Sequence, residues 1–122
     1  MQLNSDTGSN YSLHFLLGTG TNPPASGAGA SQTFIYVPTA TASTAAANNF
    51  GAGVVDILDY GNTNKYKTVR NLGGEERNGN GTIALESGAW LNTNAVSTVT
   101  FKTVSANNFA QYSSFALYGI KG

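Results

Sequence analysis

Apolar and polar side chains alternate with a period of two along most of this chain, which is the pattern of strands with one buried face. The first such segment is residues 11–17, where Tyr11 and Phe15 fall on the same side of an extended chain. Six more segments alternate or are rich in β-branched and aromatic residues, namely 33–37, 53–60, 65–72, 81–91, 96–104 and 112–120. We therefore predict about seven to eight short strands.

The segments between these strands are mainly typical of turns and loops. Residues 18–32, GTGTNPPASGAGASQ, are predicted to form an irregular loop because Pro and Gly disfavour both a helix and a strand ladder. Pro38 is expected to end the strand at 33–37. Residues 39–48 are the only helix candidate, for a single turn, with an irregular loop as the alternative. Asn, Gly and Thr give turn signals at 61–64, 73–81 and 92–94.

Short strands with regular turns predict an all-β fold, an antiparallel β-sandwich of jelly-roll-like or immunoglobulin-like topology, with a barrel as the alternative. At 122 residues the chain is expected to form a single domain over residues 1–122. Sandwich cores are filled by large aromatic and aliphatic side chains. The predicted structural core consists of Phe15, Ile57, Trp90, Phe101, Tyr112, Phe115 and Tyr118.

The last predicted strand, residues 112–120, is apolar on both of its faces. Tyr112 and Tyr118 share one face, and Phe115 lies on the other. A strand of this kind is either central in the sandwich or covered by another subunit. The central position is the one expected, with Lys121 and Gly122 just beyond the end of the sheet.

Charged residues make up only 10% of the chain, and six Lys and Arg balance six Asp and Glu. A neutral surface offers little attraction to nucleic acid or to an anionic membrane, and its weak self-repulsion favours association between copies. The chain has no Cys, which excludes disulfides and thiolate metal sites. No basic region followed by a long apolar run is present, so neither a signal peptide nor a membrane span is expected.

Candidate catalytic groups are few. The one histidine, His14, lies in mid-strand and is interpreted as a surface or hydrogen-bonded side chain, and no G-x-S-x-G motif accompanies it. Asp56 and Asp59 are three residues apart on a predicted strand and point to opposite faces, so they cannot flank one glycosidic bond. Glu75 and Glu76 fall in a Gly- and Asn-rich turn, where charged tips are common. The sequence therefore favours a protein that is not an enzyme.

Candidate ligand sites are also weak. The segment NSDTGSN, residues 4–10, resembles a calcium loop in its spacing but lacks the distal Glu, and an Asx-turn accounts for the same residues. No phosphate-binding GxxxxGK motif is present. Lys65, Lys67 and Arg70 cluster near Tyr66 without forming one stripe, so we expect no nucleic-acid site, with a contact to an acidic partner surface as the alternative. No cofactor or metal is expected.

Four stretches of the chain resemble one known family. They are NSDTGSNYSLHFLLGTG, VVDILDYGNTNKYKTVRNLGG, SGAWLNTNAVSTVTF and, most specific of the four, NNFAQYSSFALYGIKG. Together they cover most of the chain and look like a family of tailed-bacteriophage structural proteins that is frequent among marine and cyanobacterial phages. The resemblance implies a β-sandwich virion component without a catalytic motif, found as capsid-surface decoration or within tail fibres and appendages.

The resemblance also implies a role in the particle. The expected protein is made in the host cytoplasm, decorates and cements the capsid surface of the virion, binds the major capsid protein and forms a small homo-oligomer, with a trimer as the expected order. The alternative is a tail-fibre or receptor-binding module whose loops at 18–32 and 73–81 bind carbohydrate. Family members commonly carry further Thr- and Ser-rich strands ahead of NSDTGSNYS, so a partner subunit is expected to complete the N-terminal edge.

Overall fold

The computed structural model describes residues 1–37 and 40–120, and these residues form seven strands and no helix. The strands are β1 (Gln2–Leu3), β2 (Tyr11–Gly18), β3 (Ala25–Gln32), β4 (Gly51–Leu58), β5 (Lys67–Glu75), β6 (Thr82–Trp90) and β7 (Val99–Thr100). Five of them make a sheet in the order β3-β2-β6-β5-β4, and β1 pairs with β7 in a second, small sheet. All pairs are antiparallel. The predicted all-β, antiparallel, sandwich-like fold is confirmed.

The five-stranded sheet has one buried face, called here the core face, and an opposite outer face. Along β6, Ala84, Glu86 and Trp90 are buried, whereas Ile83 and Leu85, which flank Ala84, are exposed. The strand β5 alternates in the same way. Residues that pair across an antiparallel ladder share a face, so the register carries this alternation from one strand to the next.

The core face is covered by the N-terminal strand and by the chain around Ile35. The fully or nearly fully buried apolar cluster consists of Met1, Leu3, Tyr11, Ile35, Val69 and Trp90. The backbone N–H of Ile35 donates to the carbonyl oxygen of Met1 at 2.9 Å, which ties the two covering segments together. The N–H of Leu3 donates to the hydroxyl oxygen of Tyr11 at 3.0 Å. The strand β1 is paired with β7 within the chain. In the five-stranded sheet, β3 and β4 each have a single neighbour, so the open edges of the sheet lie there.

Four of the predicted core residues lie in or near this core. Trp90 is part of the buried cluster, and the half-buried Ile57 and Phe101 pack against it. Phe15 is half-buried on the core face of β2, where its ring lies over Gly27 of β3. A Cβ atom at Gly27 would come within 2.7 Å of that ring, so the glycine allows the ring to lie flat against the neighbouring strand.

The other three predicted core residues require a correction. Tyr112, Phe115 and Tyr118 are 84%, 56% and 83% exposed, and residues 112–120 form no strand. The chain turns after Ala110, where the N–H of Ser113 donates to the Ala110 carbonyl oxygen at 3.1 Å and Tyr112 adopts a φ of 74°. After this turn, residues 114–120 form no backbone hydrogen bonds with a neighbouring strand of the described chain. The predicted positions of Lys121 and Gly122 lie outside the described residues.

The prediction of an irregular loop over residues 18–32 was wrong, because residues Ala25–Gln32 form β3. The two prolines of this stretch, Pro23 and Pro24, precede the strand and so remove no ladder hydrogen bond. Gly, Ala and Ser are poor strand formers, but β3 is an edge strand and pairs with β2 alone. Its register with β2 shifts between Tyr11 and Leu13, near Ser31 with its φ of 54°.

Two other predicted strands are shorter or absent. Residues 33–37 form none, because the backbone of Ile35 bonds to Met1 and the Tyr36 carbonyl oxygen accepts from the Asn71 side chain at 3.0 Å. Of residues 96–104, only Val99–Thr100 are a strand. The backbone N–H groups of Ser97 and Thr98, just before this strand, donate instead to the side-chain oxygen of Asn4. Pro38 lies outside the described residues, and residues 40–48 form turns rather than a helix.

The contact between Gly88 and Ile35 gives a test of core packing. A Cβ at Gly88 would lie 2.8 to 2.9 Å from three side-chain carbons of Ile35, which is fully buried. We expect Gly88→Ala to lower the free energy of unfolding by about 1–3 kcal/mol, because the added methyl displaces a β-branched side chain with no free space. Urea unfolding followed by Trp90 fluorescence measures this change.

The matched control is Gly61→Ala, because a Cβ at Gly61 meets no atom within 4 Å. We expect it to change the free energy of unfolding by less than about 0.5 kcal/mol. Equal effects of the two substitutions would contradict the packing described for Ile35.

Candidate interaction surface

The predicted catalytic candidates are dispersed in the structure. His14 is exposed on the outer face, where it pairs in register with Ser87. The carboxylate of Asp56 accepts from the Arg70 guanidinium at 2.7 Å. Asp59 lies past the end of β4 and forms an ion pair with Lys65. Among residues 1–37 and 40–120, no three His, Cys, Asp or Glu side chains lie close enough to hold a metal ion.

The NSDTGSN segment positions a carboxylate that holds the central tryptophan. Asp6 accepts from the Trp90 indole N–H at 2.8 Å, from the Gly8 backbone N–H at 2.8 Å and from the Asn10 side-chain amide at 3.0 Å. These donors lower the pKa of Asp6, the Trp90 indole most of all. The bond from Gly8 is that of an Asx-turn. The segment therefore joins the N-terminal region to the end of β6.

A buried lysine was not anticipated from the sequence. Lys67 is fully buried on the core face, and its ammonium donates to the carbonyl oxygens of Asn62, Lys65 and Thr93 at 2.6 to 3.1 Å. It binds the 62–65 turn to the segment after β6. The cluster of Lys65, Lys67 and Arg70, which was the alternative contact for an acidic partner, loses one member, because Lys67 does not reach the surface. Its position two residues before the apolar Val69 was the signal for burial.

A second polar pair lies on the core face. Glu86 is buried between Phe15 and Asn71, which are its neighbours in register on β2 and β5. Burial raises the pKa of the Glu86 carboxyl, and the nearby Asn71 amide partly opposes that change. One carboxylate oxygen of Glu86 and the amide oxygen of Asn71 have no hydrogen-bond partner among the described residues. The pair is a destabilising feature of the core rather than an accessible catalytic group.

The outer face of the sheet carries an uncovered row of aliphatic side chains. Leu16 pairs with Leu85, Leu85 with Leu72, and Leu72 with Val54, so that one such residue from each of four adjacent strands lies in line. We call these four residues the aliphatic row. Their exposed fractions are 47 to 58%. With about 4.8 Å between strands, the row is about 14 Å long.

The surroundings of the aliphatic row are polar on one side and apolar on the other. The adjacent row on the same face consists of His14, Ser87, Arg70 and Asp56. On the opposite side lies Ile83, which is also exposed. A shallow, open depression lies beside Val54 and Leu72 next to the Asp56–Arg70 ion pair. An apolar strip with a polar border is the usual composition of a protein–protein contact.

The second uncovered surface is residues 111–120, which we call the C-terminal segment. Its large apolar residues are Tyr112, Phe115, Leu117, Tyr118 and Ile120, and all of them are exposed. No backbone hydrogen bond joins residues 114–120 to another described residue. The segment is held mainly by the Phe115 ring, which stacks on Phe101 at 5.3 Å between ring centroids and meets Phe109 edge-on at 5.1 Å.

Comparison of the chain with family models, with curated proteins and with solved structures found no match. Within the described part of the chain, no helix is long and apolar enough to cross a membrane.

Glu86 gives a pH-dependent test of the buried polar pair. Its folded-state pKa is raised above the ordinary value of 4.5, so the folded state loses stability as the pH rises from below 4.5 through the raised value. We expect Glu86→Gln, which removes the charge and keeps the side chain's size, to raise the free energy of unfolding at pH 7. The gain should fade below about pH 4, where the native carboxyl is protonated in both states. Urea unfolding at several pH values measures it.

The matched control removes an exposed carboxylate from a turn, by Glu76→Gln. We expect this change to alter the free energy of unfolding by less than about 0.5 kcal/mol. A Glu86→Gln variant less stable than the native chain at pH 7, or one whose difference does not depend on pH, would contradict the burial assigned to Glu86.

Proposed function

We propose that this protein is a non-enzymatic structural protein of a phage virion, which decorates and cements the capsid surface through contacts with the major capsid protein and with its own copies. The observation that carries the proposal is the aliphatic row, an apolar strip on a sheet face that no described segment covers. The resemblance of four stretches of the sequence to tailed-phage structural proteins supports the location in the particle.

The outer face suits an extended protein surface better than a small molecule. It is the uncovered side of a five-stranded sheet, and its depression is open to solvent. Small-molecule sites are instead concave and enclose most of their ligand. Aliphatic side chains at the centre and an ion pair at the border are arranged as the buried core and polar rim of a protein–protein interface are.

The mechanism of cementing follows from mass action. A protein that binds assembled capsid subunits more tightly than free ones stabilises the assembled form in proportion to that difference. An interface of about 800 Å² per partner is sufficient for a stable contact, and it is repeated at every equivalent position of the shell. The low charge of the chain suits close spacing of many copies, because neighbours repel each other weakly.

A second candidate function is a carbohydrate-binding module of a tail fibre or appendage. It is supported by Tyr60 and Tyr66, which are both exposed and stand on either side of the 61–64 turn with its amide side chains. Sugar rings stack on aromatic faces, and their hydroxyls bind amides. Copy number separates the two functions, because a shell protein is present in hundreds of copies per particle and a fibre module in a handful.

The aliphatic row provides the test of capsid binding. We expect Leu72→Asp to weaken binding to capsids that lack this protein by about tenfold or more, because it places an unpaired charge at the centre of the apolar contact. Leu72 is about half exposed, so the substitution leaves the fold intact. Co-sedimentation of the purified protein with such capsids measures the affinity.

The matched control is Ser87→Asp, which adds the same charge to the same face in the neighbouring polar row, beside Arg70. We expect this variant to bind within about threefold of the native chain. Equal binding by Leu72→Asp and the native chain would overturn the assignment of this face. A native chain that does not sediment with capsids at all would overturn the proposed function.

A further inference from the structure

The C-terminal segment has the composition of a strand that lacks a sheet. Tyr112, Tyr118 and Ile120 share one side of an extended chain, and Phe115 and Leu117 share the other. A lone chain in water leaves both of these sides exposed, as the 87% exposure of Leu117 and Ile120 shows. Pairing with the edge of a sheet places both rows beside the side chains of the neighbouring strand, and both contacts are apolar where that strand carries apolar residues on both faces. The segment also carries no charged residue, which removes one common barrier to strand addition.

The five-stranded sheet offers two open edges, and they differ in what they present. On β3 every side chain before Gln32 is that of Gly, Ala or Ser, which gives little apolar surface to an added strand. On β4, Val55 and Ile57 are half-buried on the core face, while Val54 and Leu58 are exposed on the outer face. The β4 edge therefore presents large apolar side chains on both faces, with Asp56 between Val54 and Leu58 on the outer face in an ion pair with Arg70 of β5. The eight residues of β4 are close in number to the ten residues of the segment.

The path of the chain disfavours pairing of the segment with its own β4. The carbonyl oxygen of Thr41 accepts from Ala110 N–H at 2.9 Å, and the Thr41 hydroxyl accepts from Gly51 N–H at 3.1 Å. The segment thus leaves from the Gly51 end of β4 and would run parallel to that strand. A segment from a second copy has no such restriction and can pair antiparallel, the more stable arrangement.

We propose that the C-terminal segment of one copy adds as an antiparallel strand to the β4 edge of a second copy of this chain. Main-chain hydrogen bonds along the edge give the contact its affinity, and alternate side chains of the segment extend the core face and the outer face of the recipient sheet. On the outer face the added strand prolongs the aliphatic row beyond Val54. The inference deepens the part of the proposed function that concerns contacts between copies, and it does not depend on a location in the virion.

Proline substitution in the segment separates strand addition from nonspecific apolar association. Successive N–H groups of a strand point to opposite sides, so either Ala116→Pro or Leu117→Pro removes a hydrogen bond to the recipient edge. We expect the variant that loses this hydrogen bond to have a dissociation constant about tenfold or more above that of the native chain. The measurement is sedimentation equilibrium. Both residues are exposed, so neither variant alters the core, which Trp90 fluorescence checks.

The matched control is Ala116→Ser, which is similar in size and keeps the N–H group; we expect it to associate as the native chain does. Association of both proline variants at native strength would overturn the proposal. A native chain that remains monomeric at its highest attainable concentration would also overturn it.

Cross-linking between copies identifies the recipient edge, since the chain has no Cys of its own. An affinity-tagged Leu117→Cys copy is mixed with an untagged copy that carries either Val54→Cys or Ser26→Cys. Val54 and Ser26 stand at opposite ends of the same in-register row, on β4 and β3. These two edges are about 19 Å apart, given about 4.8 Å between strands, so a short bismaleimide distinguishes them.

We expect the tagged copy to cross-link to the Val54→Cys copy several times faster than to the Ser26→Cys copy. Equal rates, or preferential cross-linking to Ser26→Cys, would overturn the assignment to β4. Loss of capsid binding in Leu72→Asp leaves this result unaffected, so failure of the proposed function and failure of the strand addition are distinguishable.

Discussion

Apolar side chains lie on both faces of the five-stranded sheet, but the described chain covers only one face. The N-terminal strand, the segment around Ile35 and the residues that follow β6 all pack on the core face. Trp90 is at the centre of this arrangement, because its indole N–H is bound by Asp6 from the N-terminal region. Because the covering segments all lie on the core face, the aliphatic row and the C-terminal segment remain exposed. The proposals on function and on contacts between copies both follow from this one-sided burial.

The period-two pattern predicted the fold class and the strands at the centre of the sheet. The segments containing β2, β4, β5 and β6 were recognised because apolar residues alternate along them and turn residues separate them. The strand β3 was missed because its sequence, ASGAGASQ, has almost no side-chain signal, and an edge strand needs only one partner to supply its ladder. Conversely, residues 33–37 look like a strand, but the backbone of Ile35 bonds to Met1 instead of joining a ladder.

The surfaces were less predictable than the fold. Which apolar face of a strand is covered depends on segments distant in sequence, so the pattern alone did not show that Leu16, Leu72 and Leu85 remain exposed. The burial of Lys67 likewise depends on three carbonyl groups that only the folded turns bring together. For residues 112–120 the central position in the sandwich was predicted, and the exposure of Tyr112 and Tyr118 shows that this prediction was wrong.

Apolar surface is left uncovered both on the outer face of the sheet and on the C-terminal segment. Both surfaces are available for contacts with other molecules. An exposed segment of this kind is a liability for an isolated molecule, whereas in an assembly it is a means of joining copies without new secondary structure in the core. The sheet and the C-terminal segment are proposed to make two different contacts. In the proposed assembly, the outer face of the sheet contacts the capsid, and the C-terminal segment connects one copy to the next.

Coverage of the C-terminal segment by a second copy can be measured by amide hydrogen exchange at increasing protein concentration. We expect the amides of residues 113–120 to exchange rapidly in dilute protein and to become protected as copies associate, together with the β4 amides that face the open edge of the sheet. Rapid exchange of residues 113–120 at every protein concentration, with no change in the exchange of β4, would contradict the proposed strand addition.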